Sequence, residues 1–538
     1  MSFSDDSDSA ADCRSARVPR PSRLSLHSRL GQFATFLILL AGLVASPAPV
    51  SGQVLPRKSE NQILLEDYGL AHQKFAEEME ALAAECEAEG LKTEAAVIRE
   101  RSARLDLLKL DVDKLPSEVG GTPFAPDDAW GPRRAELEKA YAARVYALSQ
   151  KAMSQRNISL CFHLIREVAF HDPDHANARR MLGYMVYDGT WTTPFVANNL
   201  RRGLVWDSEF GWLPQAHVKR YQQGMRYVGG VWMPAAKEEG LRRDFNRSPW
   251  VVESEHFIVT TNHSLQRGVQ LSTRLEGFHR YFVREFSAFF NTPQQMRTLF
   301  DGKALSSGSV KKHKVNYYAS RGEFVAKLQS QPNITLCNGI YMPQQEIAHF
   351  FYDPNLDVTH EETLYHEVTH QLLSESGTKV VSVAADRDFW IVEGLACYME
   401  SFKQDEGEVT VGFPLHKRVI AACHHAETPG EFVPLQAFVS MGQHEFQNAG
   451  KLSVLQRYYA QATAESHFFL HYRDGLYRDA FIQYLSEIYS PNPNVRAKVT
   501  PLDRLTGISF ATLDSQYREY LKEIAAAETA SKPGPPAK

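Results

Sequence analysis

Apolar residues recur at helical spacing through the first part of the chain after residue 55. Leu65, Tyr68, Phe75, Met79, Leu82 and Cys86 stand among charged neighbours and predict an amphipathic helix. Glu89-Gly90 breaks the pattern, and a second helix follows through Ala95, Ile98 and Leu105. Pro116 to Pro132 holds several Pro and Gly residues and reads as a linker or long loop. Helix resumes at Arg134 to Met153 and again at Leu160 to Phe170. The stretch from Asp172 to Gly183 is similar to the junction between tetratricopeptide-type helices, but it occurs once, whereas a solenoid needs several repeats. Residues 55–186 are therefore expected to form a helical spacer packed on the rest of the chain. A platform for a protein partner is the alternative.

The period then changes. Gly189-Thr190-Trp191-Thr192-Thr193-Pro194, Gly211-Trp212-Leu213-Pro214 and Gly230-Val231-Trp232-Met233-Pro234 repeat one aromatic pattern beside Gly and Pro. Such alternation predicts short hairpins. Residues 187–249 are expected to form a small Trp-rich β-module whose Trp rings fill its core. Stacking on sugars or lining a peptide groove is the other use of rings at that spacing.

From Trp250 onward, strand and helix patterns mix. Val251 to Thr261 alternates as a strand should, and Val269 to Phe290 has one apolar face. Val315-Asn316-Tyr317-Tyr318 and Asn338-Gly339-Ile340-Tyr341-Met342 are further strands. The latter forms a hairpin with Glu346 to Phe351 across Pro343-Gln344-Gln345. This order implies an α+β domain with a mixed sheet over residues 250–527. Residues after the last strands read as helical to about Ala527, and 528–538 as a disordered, Pro-rich tail.

Within that domain stands His366-Glu367-Val368-Thr369-His370. Leu364, Val368, Leu372 and Leu373 recur at helical spacing, Thr359 to Glu362 offers a capping box, and Gly377 is placed to end the helix. Helical positions four apart share a face, so His366 and His370 can direct one nitrogen each at a single metal ion. A catalytic zinc takes three protein ligands and leaves the fourth position to water. Glu393, on a second amphipathic segment from Asp388 to Phe402, is the natural third ligand. Its apolar neighbours Trp390, Ile391, Val392 and Leu395 make an unpaired carboxylate costly there, so it needs a cation or a proton. Glu367 can lean over the bound water as general base without binding the metal.

The run Trp390-Ile391-Val392-Glu393-Gly394-Leu395-Ala396-Cys397-Tyr398-Met399-Glu400 resembles the glutamate-ligand helix of gluzincin metallopeptidases, whose aminopeptidase branch reads W-x-x-E-G-x-A-x-Y. From roughly Trp250 to Leu521 the chain is more similar to the uncharacterised bacterial domain-of-unknown-function 1570 family, which is peptidase-like. That resemblance implies a zincin fold, Zn2+ held by His366, His370 and Glu393, and Glu367 as general base. It also suggests Tyr459 or Tyr458 as donor to an oxyanion. Asp386, Asp388 and Glu400 are carboxylates that could orient a ligand histidine, and the sequence does not choose among them. Two departures limit the resemblance. There are 22 residues between His370 and Glu393, a few more than is usual, and the G-A-M-E-N segment that binds a free amino terminus is absent, so aminopeptidase specificity does not carry over.

Composition changes the picture in three places. A net charge of −5 over 538 residues, with no long basic stripe, does not imply nucleic acid as a partner. Arg14, Arg17, Arg20, Arg23 and Arg29 precede an apolar run of 13 residues, Phe33 to Ala45, followed by small residues to Gly52. That is the layout of a secretory signal over residues 1–52, and the run is short of the ~20 residues a membrane helix needs. The protein is expected to be exported, with an uncleaved N-terminal anchor as the alternative. The six cysteines are scattered without a C-x-x-C pair and read as buried thiols, with room for one bridge. The expected function is a secreted zinc metallopeptidase acting on a peptide or protein substrate. The rival is a catalytically idle scaffold or binding protein of the cell envelope.

Overall fold

The computed structural model of the chain describes residues 60–103, 130–291, 293–301, 311–355, 357–376, 383–405, 408–412, 414 and 416–531. They lie in one compact unit. The segment read as a signal, the linker before Trp130, Gly377 and the tail after Ser531 lie outside the described residues. Among the described residues no helix is long and apolar enough to cross a membrane.

The helical pattern produces Glu60–Ala88, Lys92–Ser102, Trp130–Ser154 and Ile158–His171. The third of these begins ahead of Arg134, because Pro132 falls in the first turn, where its missing N–H removes no helical hydrogen bond. Phe75 stacks on Tyr141 at 4.2 Å in the core of this region. There Glu167 accepts the hydroxyls of Tyr68 and Tyr141 at 2.7 and 2.6 Å. Helix Ile158–His171 buries 13 of its 14 residues. One face meets these helices and the other meets the following region, where the Ser159 amide donates to Asp479 at 3.0 Å. Arg478 donates to His163 Nδ1 at 2.8 Å, and His163 Nε2 in turn donates to Glu285 at 2.9 Å. The six-residue helix Ala176–Met181 comes next.

Three hairpins follow, as the aromatic pattern predicts: β1 (Met185–Tyr187) with β2 (Thr190–Thr192), β3 (Leu204–Asp207) with β4 (Gly211–Pro214), and β5 (Met225–Val228) with β6 (Val231–Pro234). They are three separate two-stranded sheets. Opposed residues repeat from hairpin to hairpin: Val186 with Trp191, Trp206 with Trp212, and Tyr227 with Trp232. The expectation that these Trp rings fill a core is corrected here. None of Trp191, Trp206, Trp212 and Trp232 is buried, and Trp206 is 37% exposed. Trp206 packs on Trp212 at 5.6 Å and Trp232 on Tyr227 at 5.2 Å, while Trp191 lies half-buried against the N-terminal helical core.

The central sheet contains β7 (Trp250–Glu253), β8 (Phe257–Thr261), β9 (His313–Tyr318), β10 (Gly339–Met342) and β11 (Ile347–Phe351) in the order β10-β11-β9-β8-β7. β8, β9 and β11 run parallel, and the outer strands β7 and β10 pair antiparallel, which makes the sheet mixed and the fold α+β. Helix Leu265–Glu285, capped by Ser264, packs Val269, Leu275, Phe278 and Phe282 into the core. The motif helix, Asp357–Glu375, packs on the sheet beside β10. The glutamate helix, Phe389–Met399, lies between the motif helix and the long helix Leu452–Gly475, and all 11 of its residues are buried. The stretch after it is not wholly helical: β12 (Lys403–Asp405) and β13 (Glu408–Thr410) form a hairpin before the last helices.

Candidate metal centre

The motif helix places His366 and His370 one above the other, as their spacing requires. Their Nε2 atoms are 3.2 Å apart and the ring planes cross at 78°. The capping box is not realised, because the helix starts at Asp357 and Glu362 turns instead to Lys417 Nζ at 2.6 Å.

The glutamate helix approaches from the other side. A Cβ built on Gly394 would stand 2.4 Å from the carbonyl oxygen of Ala462. Only glycine lets the helix lie this close to Leu452–Gly475, and that approach sets the height at which Glu393 projects. Glu393 Oε2 lies 3.5 Å from His366 Nε2 and 3.8 Å from His370 Nε2. It is buried and makes no hydrogen bond among the described residues. Zinc–ligand bonds of about 2.0–2.1 Å at tetrahedral angles separate ligand atoms by about 3.3 Å. The three atoms are therefore spaced to share one such ion, and they form one of the groups of side chains able to hold a metal.

Electrostatics agree with the geometry. Burial holds His370 neutral, with its pKa lowered to about 4, so its lone pair is available as a ligand. Burial opposes charge on Glu393, but His366 and His370 outweigh it and keep the carboxylate ionised well below the usual range. Burial likewise opposes charge on His366, yet Cys397, Glu393 and Glu400 push its pKa well above the ordinary value. The site favours a positive charge at the point where the three ligand atoms meet.

Of Asp386, Asp388 and Glu400, it is Glu400 that reaches a histidine of the motif. His366 Nδ1 donates to Glu400 Oε1 at 3.0 Å, which orients the ring so that Nε2 faces His370 and Glu393. Arg418 grips the same carboxylate through Nε at 2.8 Å and Nη2 at 2.9 Å. Asp388 instead accepts Tyr484 Oη at 2.5 Å and Arg387 Nε at 2.9 Å at the start of the glutamate helix. The backbone of Asp386 lies against Gly442.

Glu367 is buried, and its Oε2 accepts the backbone N–H of Tyr341 in β10 at 2.8 Å. Gly339 allows β10 this close to the motif helix, since a Cβ there would meet Phe350 and Thr363 at 2.7–2.9 Å. Tyr458 and Tyr459 separate in function. Tyr458 packs against Phe438 and Phe446 at 5.9 and 5.6 Å. Tyr459 lies with Arg418 5.7 Å from its ring, and burial, then the charges of Glu393 and Cys397, hold its hydroxyl protonated well above the usual range. Arg418 and the Tyr341 amide were not singled out from the sequence. A lone Arg in a helix and a backbone N–H carry no sequence signal of their own.

The five described cysteines, Cys86, Cys161, Cys337, Cys397 and Cys423, are buried free thiols. Cys397 Sγ stands 3.8 Å from His366 Nδ1, on the side away from the three converging atoms. No curated protein matches the chain. Residues 361–493, which contain His366, Glu367, His370, Glu393, Glu400, Arg418 and Tyr459, match the protein family of unknown function DUF1570.

Proposed function

We propose that this chain is a zinc-dependent hydrolase of peptide bonds with a zincin-like catalytic domain. The observation that carries the reading is the convergence of His366 Nε2, His370 Nε2 and a buried Glu393 Oε2 that has no hydrogen bond, with Glu367 beside them. His366, His370 and Glu393 would hold the ion, which when bound supplies an activated water at neutral pH and polarises the scissile carbonyl.

Glu367 would take the proton from the attacking water and return it to the departing nitrogen. Its link to the Tyr341 amide fixes the carboxylate in place between β10 and the ligands. Tyr459, kept protonated by its surroundings, is the side chain suited to donate a hydrogen bond to the oxyanion that develops on the substrate. Glu400 and Arg418 touch no substrate; they orient His366. The substrate is a peptide or protein.

Glu367→Gln tests the assignment. It keeps size and hydrogen-bonding capacity but cannot accept a proton as a base. Zinc content should stay that of the parent while cleavage of a peptide library, measured with and without chelator, falls by about 10²–10⁴-fold. A Glu367→Gln protein that cleaves as fast as the parent would remove the mechanism and favour an idle scaffold.

A further inference from the structure

A cavity of about 250 Å³ opens where the second hairpin, β3 with β4, meets the outer strand β7 of the central sheet. Phe195 and Asn199, four apart on helix Pro194–Arg201, line one side, with Arg202 just past the end of that helix. Trp212 of β4 lines another, and Val252 and Glu253 of β7 a third. None of His366, Glu367, His370 and Glu393 lines it.

The three hairpins share one pattern but do not offer the same surface. Trp191 donates its indole N–H to Asp174 Oδ1 at 3.0 Å. Trp232 is covered by Arg220 at 4.8 Å and by the His217 ring at 4.8 Å. Trp212 is half-buried and meets the rings of Phe195 and Trp206 at steep interplanar angles of 79° and 66°. Its indole N–H has no acceptor among the described residues. Trp206, 37% exposed, continues the aromatic surface beside the cavity.

The polar groups around this ring are mostly donors. Asn199 is only 5% exposed, yet its Nδ2 makes no hydrogen bond among the described residues, while its Oδ1 accepts Arg202 Nη1 at 3.5 Å. A buried donor without an acceptor is unfavourable, and an oxygen of a bound molecule would satisfy it. Glu253 is matched by Lys312, whose Nζ donates to its Oε1 at 2.5 Å. Arg202 has no acidic partner among the described residues and leaves the cavity with a net positive charge.

We infer that this cavity binds one carboxylated sugar residue of an acidic polysaccharide. A pyranose ring has an apolar C–H face and a rim of oxygens. The face suits Trp212 and Phe195, and the rim suits Asn199 Nδ2 and the Trp212 N–H. Pockets for drug-sized ligands begin at about 300 Å³, so the space here limits the occupant to roughly one ring. The sugar carboxylate would pair with Arg202, whose planar fork matches it. Trp206 would carry the neighbouring sugar of the chain. The inference stands apart from the proposed hydrolase activity, because it uses none of the residues of the metal centre.

Calorimetric titration of the whole protein with trigalacturonate tests this. The parent should bind it, and should bind maltotriose, an uncharged trimer, at least about tenfold more weakly. Arg202 is exposed, so Arg202→Gln should keep the parent's circular dichroism. It should weaken trigalacturonate about tenfold and leave maltotriose unchanged. Trp212→Leu should weaken both trimers. Absence of trigalacturonate binding by the parent would overturn the inference. So would undiminished binding in Arg202→Gln and Trp212→Leu, which would place the ligand elsewhere. Triglutamate that bound as tightly as trigalacturonate, and lost affinity in Arg202→Gln, would make the occupant an acidic peptide and overturn the sugar assignment.

Discussion

Replacing Glu400 by Gln isolates the link between Arg418 and His366. The parent carboxylate accepts three hydrogen bonds: His366 Nδ1 and Arg418 Nη2 on Oε1, and Arg418 Nε on Oε2. Glutamine offers one carbonyl oxygen. If that oxygen serves His366 and Nη2, the amide NH₂ faces the Nε–H of Arg418, donor against donor. One charge-assisted hydrogen bond is lost and Arg418 loses its counter-charge. Breaking a fully buried pair costs about 3–5 kcal/mol. Arg418 is 23% exposed and can recruit water, which places the expected loss lower, at about 2–3 kcal/mol. The second consequence falls on the metal, because His366 is held less firmly in its orientation. Removing an orienting carboxylate typically weakens metal binding by about 10–100-fold. Urea unfolding reports the first quantity, and zinc competition against a chelator of known affinity reports the second. If Glu400→Gln kept its unfolding midpoint and its zinc affinity within about twofold, His366 would be oriented by something other than this pair.

Two further outcomes follow from packing and charge. Gly394→Ala puts a Cβ 2.4 Å from the Ala462 carbonyl, so the helices must part by about 1 Å; a loss of about 1–3 kcal/mol in urea and weaker zinc binding are expected, and an unchanged variant would deny that this approach sets the position of Glu393. Glu285 keeps its charge despite burial because His163, Arg478 and Arg166 hold its pKa well below the usual carboxylate range. A depressed folded pKa contributes stability that is complete above the unfolded value of about 4.3 and is lost as pH falls below it. The gap in unfolding midpoint between the parent and Glu285→Gln should therefore be wide at pH 7 and narrow from pH 5 to pH 3; a gap independent of pH would contradict the assignment.

Periodicity made the helices and the hairpins legible, because each period of 3.6 or 2 records which face is buried. The i, i+4 histidines and the acid set in an apolar run likewise pointed to one another, since a buried Glu393 needs a cation or a proton. Other features left no such trace. The three hairpins share one pattern with strands of a layered sheet, and alternation does not state whether a second layer covers them; hence the Trp rings that proved partly exposed. Three carboxylates stood near the ligands in sequence, and only three-dimensional packing separates Glu400 on His366 from Asp388 on Tyr484. Arg418 reaches Glu400 from 18 residues away, after a hairpin the helical pattern hid. Tyr341 contributes a main-chain amide, for which any non-proline residue would serve.

Helix Ile158–His171 presents almost no surface to water and works as a shared wall between the N-terminal helices and the sheet-bearing region. A chain cut at Trp250 would strip the cover from Glu285 and Arg478, charged groups that are buried in the intact protein. The demand for close packing accordingly reaches far along the chain from residues 361–493. Leu164 and Ile165, both fully buried and remote in sequence from every ligand, are held to the same standard of fit as the side chains beneath the motif helix. Inherited loss of function should arise in this wall as readily as at the ligands themselves, through unfolding rather than through chemistry.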